Sequence, residues 1–459
     1  MWGDLLLVLF TVFEVAYLTS VLVSIWFYTL PVDRVTRPSE GAVPTALPSI
    51  VLFYPVLNEM EETMRTTLTG MERAQYPSFL LRVIAIPNDN DVVTIDSLRR
   101  LQDEFQFLEV LPVPPTSDPS WETVWSAWGS SRKAYWWHEG KRAGITDLPP
   151  KKTRQLIWAM YQVAPGNEDS LLSYIDADSV VPTDYWMCAA SGMSQYDVVQ
   201  HTNIAGNMLS SWPASFYAND HIGWDASMYR HMSAGGRQPF YVLGKGLFFR
   251  FSDLLRVGGF HPWLTIEDPE IGMRLWTNGA RLGVVESPLV EEVPATWSQG
   301  ITQRKRWIAG FFQSLASPLV WMGMTPGQRF RARLNFVPCL SLALNPIGVP
   351  LGVLVSVELW SRSSFLPPPL LALATVTTVG ALVLILRGWL QAWRMSAAVL
   401  ASRRDRVRYV LRVNPVFVLL YWMWWSIPLV IGLNMFVRDR GLVWERTEKR
   451  DANRELVRG

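Results

Sequence analysis

Four apolar stretches set the first limit on this chain. Residues 5–30, 335–360, 370–386 and 415–437 are too long and too poor in charge for ordinary core helices. At about 1.5 Å of rise per residue the first alone exceeds the thickness of a hydrocarbon core. It holds a single acid, Glu14, and lacks a small-residue cleavage site, so it reads as an uncleaved transmembrane helix and not a signal peptide. Arg34 and Arg37 follow it directly and assign the next segment to the cytosol. Arg329, Arg331 and Arg333 do the same before the second stretch, and Arg403, Arg404, Arg406, Arg408 and Arg412 between the last two. Parity then sends the C terminus outside. Arg438, Arg440, Arg446, Lys449 and Arg450 argue against its export, and Pro428 interrupts the last stretch, so the two signals conflict.

The chain divides accordingly into an N-terminal helix (1–30), a polar, Pro-rich linker (31–48) and a cytosolic domain (49–302). Amphipathic interface helices (303–333) follow. About three transmembrane helices (334–437) then enclose a basic cytosolic loop near 388–413, and a charged tail (438–459) ends the sequence. A length of 459 residues exceeds what one core usually serves, and 49% hydrophobic against 18% charged residues assigns the excess to membrane. The net charge of +2 gives no sign of a nucleic-acid partner. Cys188 and Cys339 have no C-x-x-C or Cys/His spacing, which speaks against a zinc site or a disulfide framework.

Within 49–302 short apolar runs at 50–54, 81–86, 108–113 and 170–175 alternate with helical patterns, which implies a mostly parallel α/β sheet. The carboxyl ends of such strands line the ligand crevice. Asp176 and Asp178 stand there one residue apart, as hard oxygen donors suited to Mg²⁺ or Mn²⁺ bridging phosphate oxygens, or as a solvated turn. An EF-hand is excluded, because counting from Asp176 finds Val181 and Met187 where Gly and Glu are required. Asn88-Asp89-Asn90-Asp91 ends the second run on the same edge, as ligand groups or as turn and helix-capping residues.

Lys152 opens a helix from which a cation can reach a diphosphate. The Trp-rich segment 114–150 either offers aromatic faces to a sugar or packs a loop layer. Residues 240–251 read as a strand with Gly244-Lys245-Gly246 inside it, matching neither a P-loop nor a dinucleotide fingerprint. Asp268 suits the N-cap of a helix over 269–278, and a capped acid beside Glu267 is held as rigidly as a general base must be. Gln303, Arg306 and Trp307 share one helix face at i, i+3 and i+4, with Arg304 and Lys305 pointing off it. That face can bind a diphosphate and a sugar acceptor, while the stripe Trp307, Ile308, Phe311, Phe312, Leu315 and Trp321 suits a membrane surface.

In this order, Asp89, Asp176-Ala177-Asp178, Glu267-Asp268 and Gln303-x-x-Arg306-Trp307 resemble the membrane-integrated family 2 inverting glycosyltransferases, such as cellulose, hyaluronan and chitin synthases. Pro55, Asn58 and Glu59 resemble that family's opening P-x-x-N-E, and Gly258-Gly259-Phe260 its G-G-F turn. The resemblance covers about 49–323. It implies a GT-A fold with Asp89 or Asp91 on the donor base, Asp178 and Asp176 on Mg²⁺ or Mn²⁺, and Asp268 as base toward the acceptor. Gln303, Arg306 and Trp307 would lie over the diphosphate and the acceptor end. Two features depart from the pattern: an Asn88-Asp89 pair stands where two acids are usual, and the Trp-rich insert delays the basic motif for which Lys152 stands in. The expectation is a plasma-membrane enzyme with a cytosolic catalytic domain, moving sugar from a nucleoside-diphosphate donor, expected to be a UDP-sugar, onto a growing β-linked polysaccharide, with export as a further option. Transfer of one sugar to a lipid acceptor is the alternative, and a catalytically dead sugar-binding receptor or scaffold the non-enzymatic one.

Overall fold

Seven strands form one sheet in the order β3-β2-β1-β4-β6-β5-β7. They are β1 (Ile50–Tyr54), β2 (Leu81–Ala85), β3 (Leu108–Val110), β4 (Leu171–Tyr174), β5 (Val198–Ala205), β6 (Leu247–Arg250) and β7 (Leu282–Glu291). The computed structural model describes residues 2–38, 46–439 and 450–457. Arg440, Arg446, Lys449 and linker residues 39–45 lie outside them. β1 and β4 are buried along their whole length, which is why they read as unbroken apolar runs without alternation. All ladders are parallel except those of β6, which runs antiparallel to β4 and β5.

β6 also corrects the strand expected over 240–251. It begins only at Leu247, because Gly244 and Gly246 both sit at φ +63° and bend the chain before it can pair. The third strand stops at Val110, with a single further bridge between Asn88 and Val113. Linker residue Arg34 bridges Val284, so the chain leaving the first helix runs along the β7 edge.

The tryptophans of 114–150 pack a layer. Trp125 stacks on Trp121 and Trp137 at centroid distances of 5.2 and 5.4 Å, while Trp121, Trp128 and Trp136 are buried. This layer clamps the helix Asp268–Thr277. The Arg274 guanidinium lies 4.8 Å from the Trp136 ring, donates to both Glu270 oxygens at 2.6 and 2.8 Å, and Tyr135 Oη adds a bond to Glu270 at 3.1 Å. Three long apolar helices, Trp2–Thr29, Leu340–Ser361 and Pro368–Met395, pack side by side below the sheet domain. A fourth apolar stretch, Pro415–Val437, is also long enough to cross a membrane, but it is split into the helices Pro415–Trp424 and Ser426–Val437.

Glu270→Ala would leave the Arg274 charge buried without its partner. The expected loss is about 3–5 kcal/mol, read as a clear fall in apparent Tm of the detergent-solubilised protein, with Glu270→Gln falling less. An unchanged Tm in both variants would remove this pair from the support of the helix.

Candidate active site

A cavity of about 440 Å³ opens at the carboxyl ends of β1, β2 and β4 and continues toward the long helices. Glu59, Lys152, Asp176, Asp178, Glu267, Asp268, Gln303, Arg306 and Trp307 all line it. Asn58, Asp89 and Asp91 do not. Asp91 caps the helix Val92–Glu104 through Thr94 N–H, and its other oxygen accepts from Asn58 N–H at 2.7 Å, fixing Asn58 at φ +49°. Asp89 is exposed on the same turn. Its neighbour Asn88 does line the cavity and accepts from Arg154 Nη2 at 2.6 Å.

Asp176 and Asp178 leave β4 on a short turn. Tyr54 Oη and Thr67 Oγ1 both donate to the Ala177 carbonyl between them, each at 2.8 Å, so the turn is tied to β1 and to the helix after it. Asp178 is buried, with Oδ2 accepting from Glu292 N–H at 3.0 Å. The Asp176 side chain is 41% exposed, and Lys152 Nζ donates to its Oδ1 at 2.7 Å and to the Gly244 carbonyl at 2.8 Å. Burial pulls the Lys152 ammonium down, but Asp176, Glu267 and Asp268 outweigh it and hold the group above its ordinary value. Lys151 has no such excess of acids, and burial draws it down to about 8.

Asp268 corrects one expectation. Glu267 occupies the N-cap position, no side chain caps the helix, and Asp268 is its first residue. The Asp268 carboxylate is turned instead into the cavity, where Oδ1 is buried without a hydrogen-bond partner. It lies so close to Gly244 that a Cβ there would come within 2.6 Å of it. Burial first, then the Glu267 charge, pushes the Asp268 carboxyl well above the usual carboxylate range, against the pull of Lys152.

The Gln303, Arg306 and Trp307 face belongs to the helix Trp297–Leu315, which Thr296 caps through Gln299 N–H. Gly310 lets this helix press onto the loop before Asp268, since a Cβ at Gly310 would fall 2.2 Å from Ile266. Gln313 Oε1 accepts from Thr265 N–H at 2.7 Å on the same contact. Arg304 points off the cavity face, as expected, yet it is fully buried and bonded to Asp220.

Sequence reading missed three cavity groups: Asp220, the buried Lys245 with its ion-pair partner Glu291, and the His221–Asp225 pair joined at 2.8 Å. Lys245 between two glycines was visible only as a failed phosphate loop. Asp225 lies in a π-helical turn over Trp224–Met228, an irregularity without a sequence signature that often accompanies functional sites.

Among the described residues no three His, Cys, Asp or Glu side chains converge into a ready-made metal cage. The donors present nevertheless fit Mg²⁺ or Mn²⁺. Two carboxylates on one short turn face the cavity, and such ions commonly take one or two protein carboxylates and leave the other positions to substrate phosphates and water.

In fold the chain is similar to the mannosyltransferase PcManGT from Pyrobaculum calidifontis, solved with GDP-Man and Mn²⁺. The TM-score is 0.57 and the identity 17% over 95% of this chain and 99% of that one. S. aureus TarS (residues 1–349, with UDP-GlcNAc) aligns at TM-score 0.36 and 10% identity over 81% of this chain and 89% of its own. No curated protein matches the sequence. The sheet is thus the GT-A fold. Residues 171–437, more than half of the chain and including every cavity carboxylate except Glu59, match glycosyl transferase family group 2, and the chain belongs to that family.

Proposed function

We propose that this glycosyltransferase moves a sugar from a nucleoside-diphosphate sugar, with inversion, to a hydroxyl of an acceptor carried on a lipid. One observation carries the choice of acceptor. The cavity that holds the carboxylates at one end is lined at the other by Phe311, Phe312, Leu315, Phe336, Leu340 and Leu429, at the start of the long apolar helices. A space that is polar where the donor's diphosphate would lie and apolar toward the bilayer suits an amphipathic acceptor better than the growing polysaccharide expected from sequence.

Asp176 and Asp178 would hold Mg²⁺ or Mn²⁺, which compensates the charge growing on the diphosphate leaving group. Lys152, already fixed between Asp176 and the Gly244 carbonyl, adds a cation beside them, and Arg306 adds a guanidinium from the helix above. Asp268 takes the proton of the acceptor hydroxyl. That oxygen then forms its bond to the anomeric carbon from the face opposite the diphosphate, whose bond to the sugar breaks. A carboxylate with an unbonded, buried oxygen is free to accept that proton, and its raised pKa makes it a stronger base than an exposed Asp.

Asp268→Asn is expected to retain donor binding by calorimetry and lose transfer by about 10²–10⁴-fold; turnover near that of the parent would refute the base assignment. Because Asp268 must be ionised and its pKa is raised, activity should climb with pH along a limb displaced upward from the ordinary carboxylate range. Glu267→Gln removes one neighbouring negative charge and should shift that limb to lower pH, whereas a limb that stays in place would assign it to another group. EDTA should stop turnover, Mn²⁺ or Mg²⁺ should restore it, and Asp178→Asn should need more metal for the same rate. Metal-independent transfer would dismiss the role of Asp176 and Asp178. Labelled UDP-Glc, UDP-GlcNAc, UDP-Gal and GDP-Man, each offered with membrane lipid extract, should give a label that partitions into organic solvent. A water-soluble polymer would return the acceptor to polysaccharide.

A further inference from the structure

We infer that the last apolar segment, Pro415–Val437, does not cross the membrane. It runs on through Trp425 along the Trp297–Leu315 helix, rests in the leaflet on the catalytic side, and keeps the C terminus on that side. The other three long helices define the two sides. Gly3 lies against Arg362, where a Cβ would meet Nη1 at 2.9 Å, and Gly348 lies against Phe13 at 3.6 Å, so the first and second helices run antiparallel. Gly380 lies against Val21, and the Arg387 guanidinium sits 3.8 Å from the Tyr28 ring, so the third runs parallel to the first. Gly3 and Arg362 therefore mark the far side, and Thr29, Leu340 and Arg387 the catalytic side.

Both ends of Pro415–Val437 are fastened to the catalytic side. Just before it, Arg412 Nη1 donates to the Leu209 and Ser211 carbonyls of the sheet domain at 3.1 and 3.3 Å. Just after it, Asp439 accepts from Arg142 Nη2 of the Trp-rich layer at 2.7 Å. A single straight span would separate these ends by roughly 30 Å across the bilayer. Trp425 keeps right-handed helical dihedrals, φ −58° and ψ −17°, so the two helices continue in one direction along the Trp297–Leu315 helix, with Trp424 packed on Trp297 and Phe436 on Phe312. Pro428 lacks the N–H that would bond the Trp424 carbonyl four residues back and interrupts the ladder there without reversing the chain.

The junction at Trp425 lies on the catalytic side. Trp425 and Leu429 line the same cavity as Leu342 and Ala343, at the catalytic-side start of the second helix, which continues to Ser361 about 28 Å farther on. The outgoing half packs along the Trp297–Leu315 helix: Gly432 abuts the Lys305 carbonyl and Ile308, and Phe436 stacks on Phe312 at 5.7 Å. Its outer face stays apolar and open, with Val430 67% and Val437 72% exposed, as suits a helix lying at the acyl–headgroup boundary. At residue 450 the chain is again on the catalytic domain, where Arg450 and Ala452 N–H donate to the Glu292 carboxylate at 2.7 and 3.1 Å. Three crossings also remove the conflict between parity and the basic tail.

The test uses the full-length chain with Cys188 and Cys339 replaced by serine, one new cysteine at a time, and a membrane-impermeant maleimide on sealed vesicles. Ala452→Cys should label from the same side as Lys141→Cys on the catalytic domain, and Ser364→Cys only from the opposite side. Labelling of Ala452→Cys together with Ser364→Cys would overturn the inference. A pair of C-terminal fusions, to green fluorescent protein and to alkaline phosphatase, reads the same point with the native sequence intact. Fluorescence without phosphatase activity agrees with it, and phosphatase activity without fluorescence refutes it.

Discussion

The Arg304 guanidinium has no exposure, and three separate elements meet on it. Nη2 and Nε donate to Asp220 Oδ2 at 2.5 and 3.1 Å, Nε also reaches Tyr421 Oη at 3.1 Å, and the charge lies 3.7 Å from the Tyr217 ring. Taking such a charge out of water costs several kcal/mol unless every partner is in place. The cluster therefore fixes the Trp297–Leu315 helix against the Trp212–Gly223 helix of the sheet domain and against the Pro415–Trp424 helix. With that rotation fixed, Gln303, Arg306 and Trp307 face the cavity. Gln303 Oε1 accepts from Arg304 Nη1 at 3.1 Å, so the buried ion orients one cavity residue directly. The charge that sequence reading set aside thus holds the motif in position.

The crevice itself is crowded with acids. Glu59, Asp176, Asp178, Asp220, Asp225, Glu267 and Asp268 line it against Lys151, Lys152, Lys245 and Arg306, and two of the lysines are already engaged, Lys152 with Asp176 and Lys245 with Glu291. Such a surface repels a bare diphosphate. A divalent cation held by the Asp176 turn, as proposed above, would reverse the sign locally and remove part of the negative field acting on Asp268. On that proposal, donor binding and the basicity of Asp268 would be set by the same few charges. The position of Gly244 matters for the same reason: without a side chain it lets the Asp268 carboxylate and the Lys152 ammonium approach one backbone segment from two directions.

Much of this arrangement is legible in the sequence because it depends on short-range chemistry. β1 and β4 are apolar runs that must be buried, Asp176 and Asp178 follow where such a run must end, and the spacing of Gln303, Arg306 and Trp307 is that of one helix face. What was not legible depends on contacts between distant segments. Asp268 looks like a cap because Pro269 follows it, and only the approach of Gly244 and Glu267 shows why its carboxylate turns elsewhere. Asp91 looks like a ligand of the donor base, yet its oxygens are taken by Thr94 and Asn58. The strand over 240–251 failed because two left-handed glycines outweigh an apolar pattern. Pro415–Val437 has the length and hydropathy of a membrane span, and nothing in its own residues announces that Arg412 before it and Asp439 after it both grip the catalytic side.

A base beside an activated sugar donor deprotonates water as readily as an alcohol, so a transferase must keep water from the position its acceptor will take. In this cavity the proposed acceptor position lies between Asp268 and an apolar wall made from the Trp297–Leu315 helix, the start of the second long helix and Trp425. On the proposal made above, an acceptor with an apolar tail would fill the wall side as its hydroxyl reaches Asp268, displacing poorly bonded water at little cost. A sugar-only acceptor leaves that side unfilled and forfeits the apolar contact. On that proposal membrane attachment would do more than localise the enzyme: the elements long and apolar enough to meet a bilayer would also complete the acceptor side of the site.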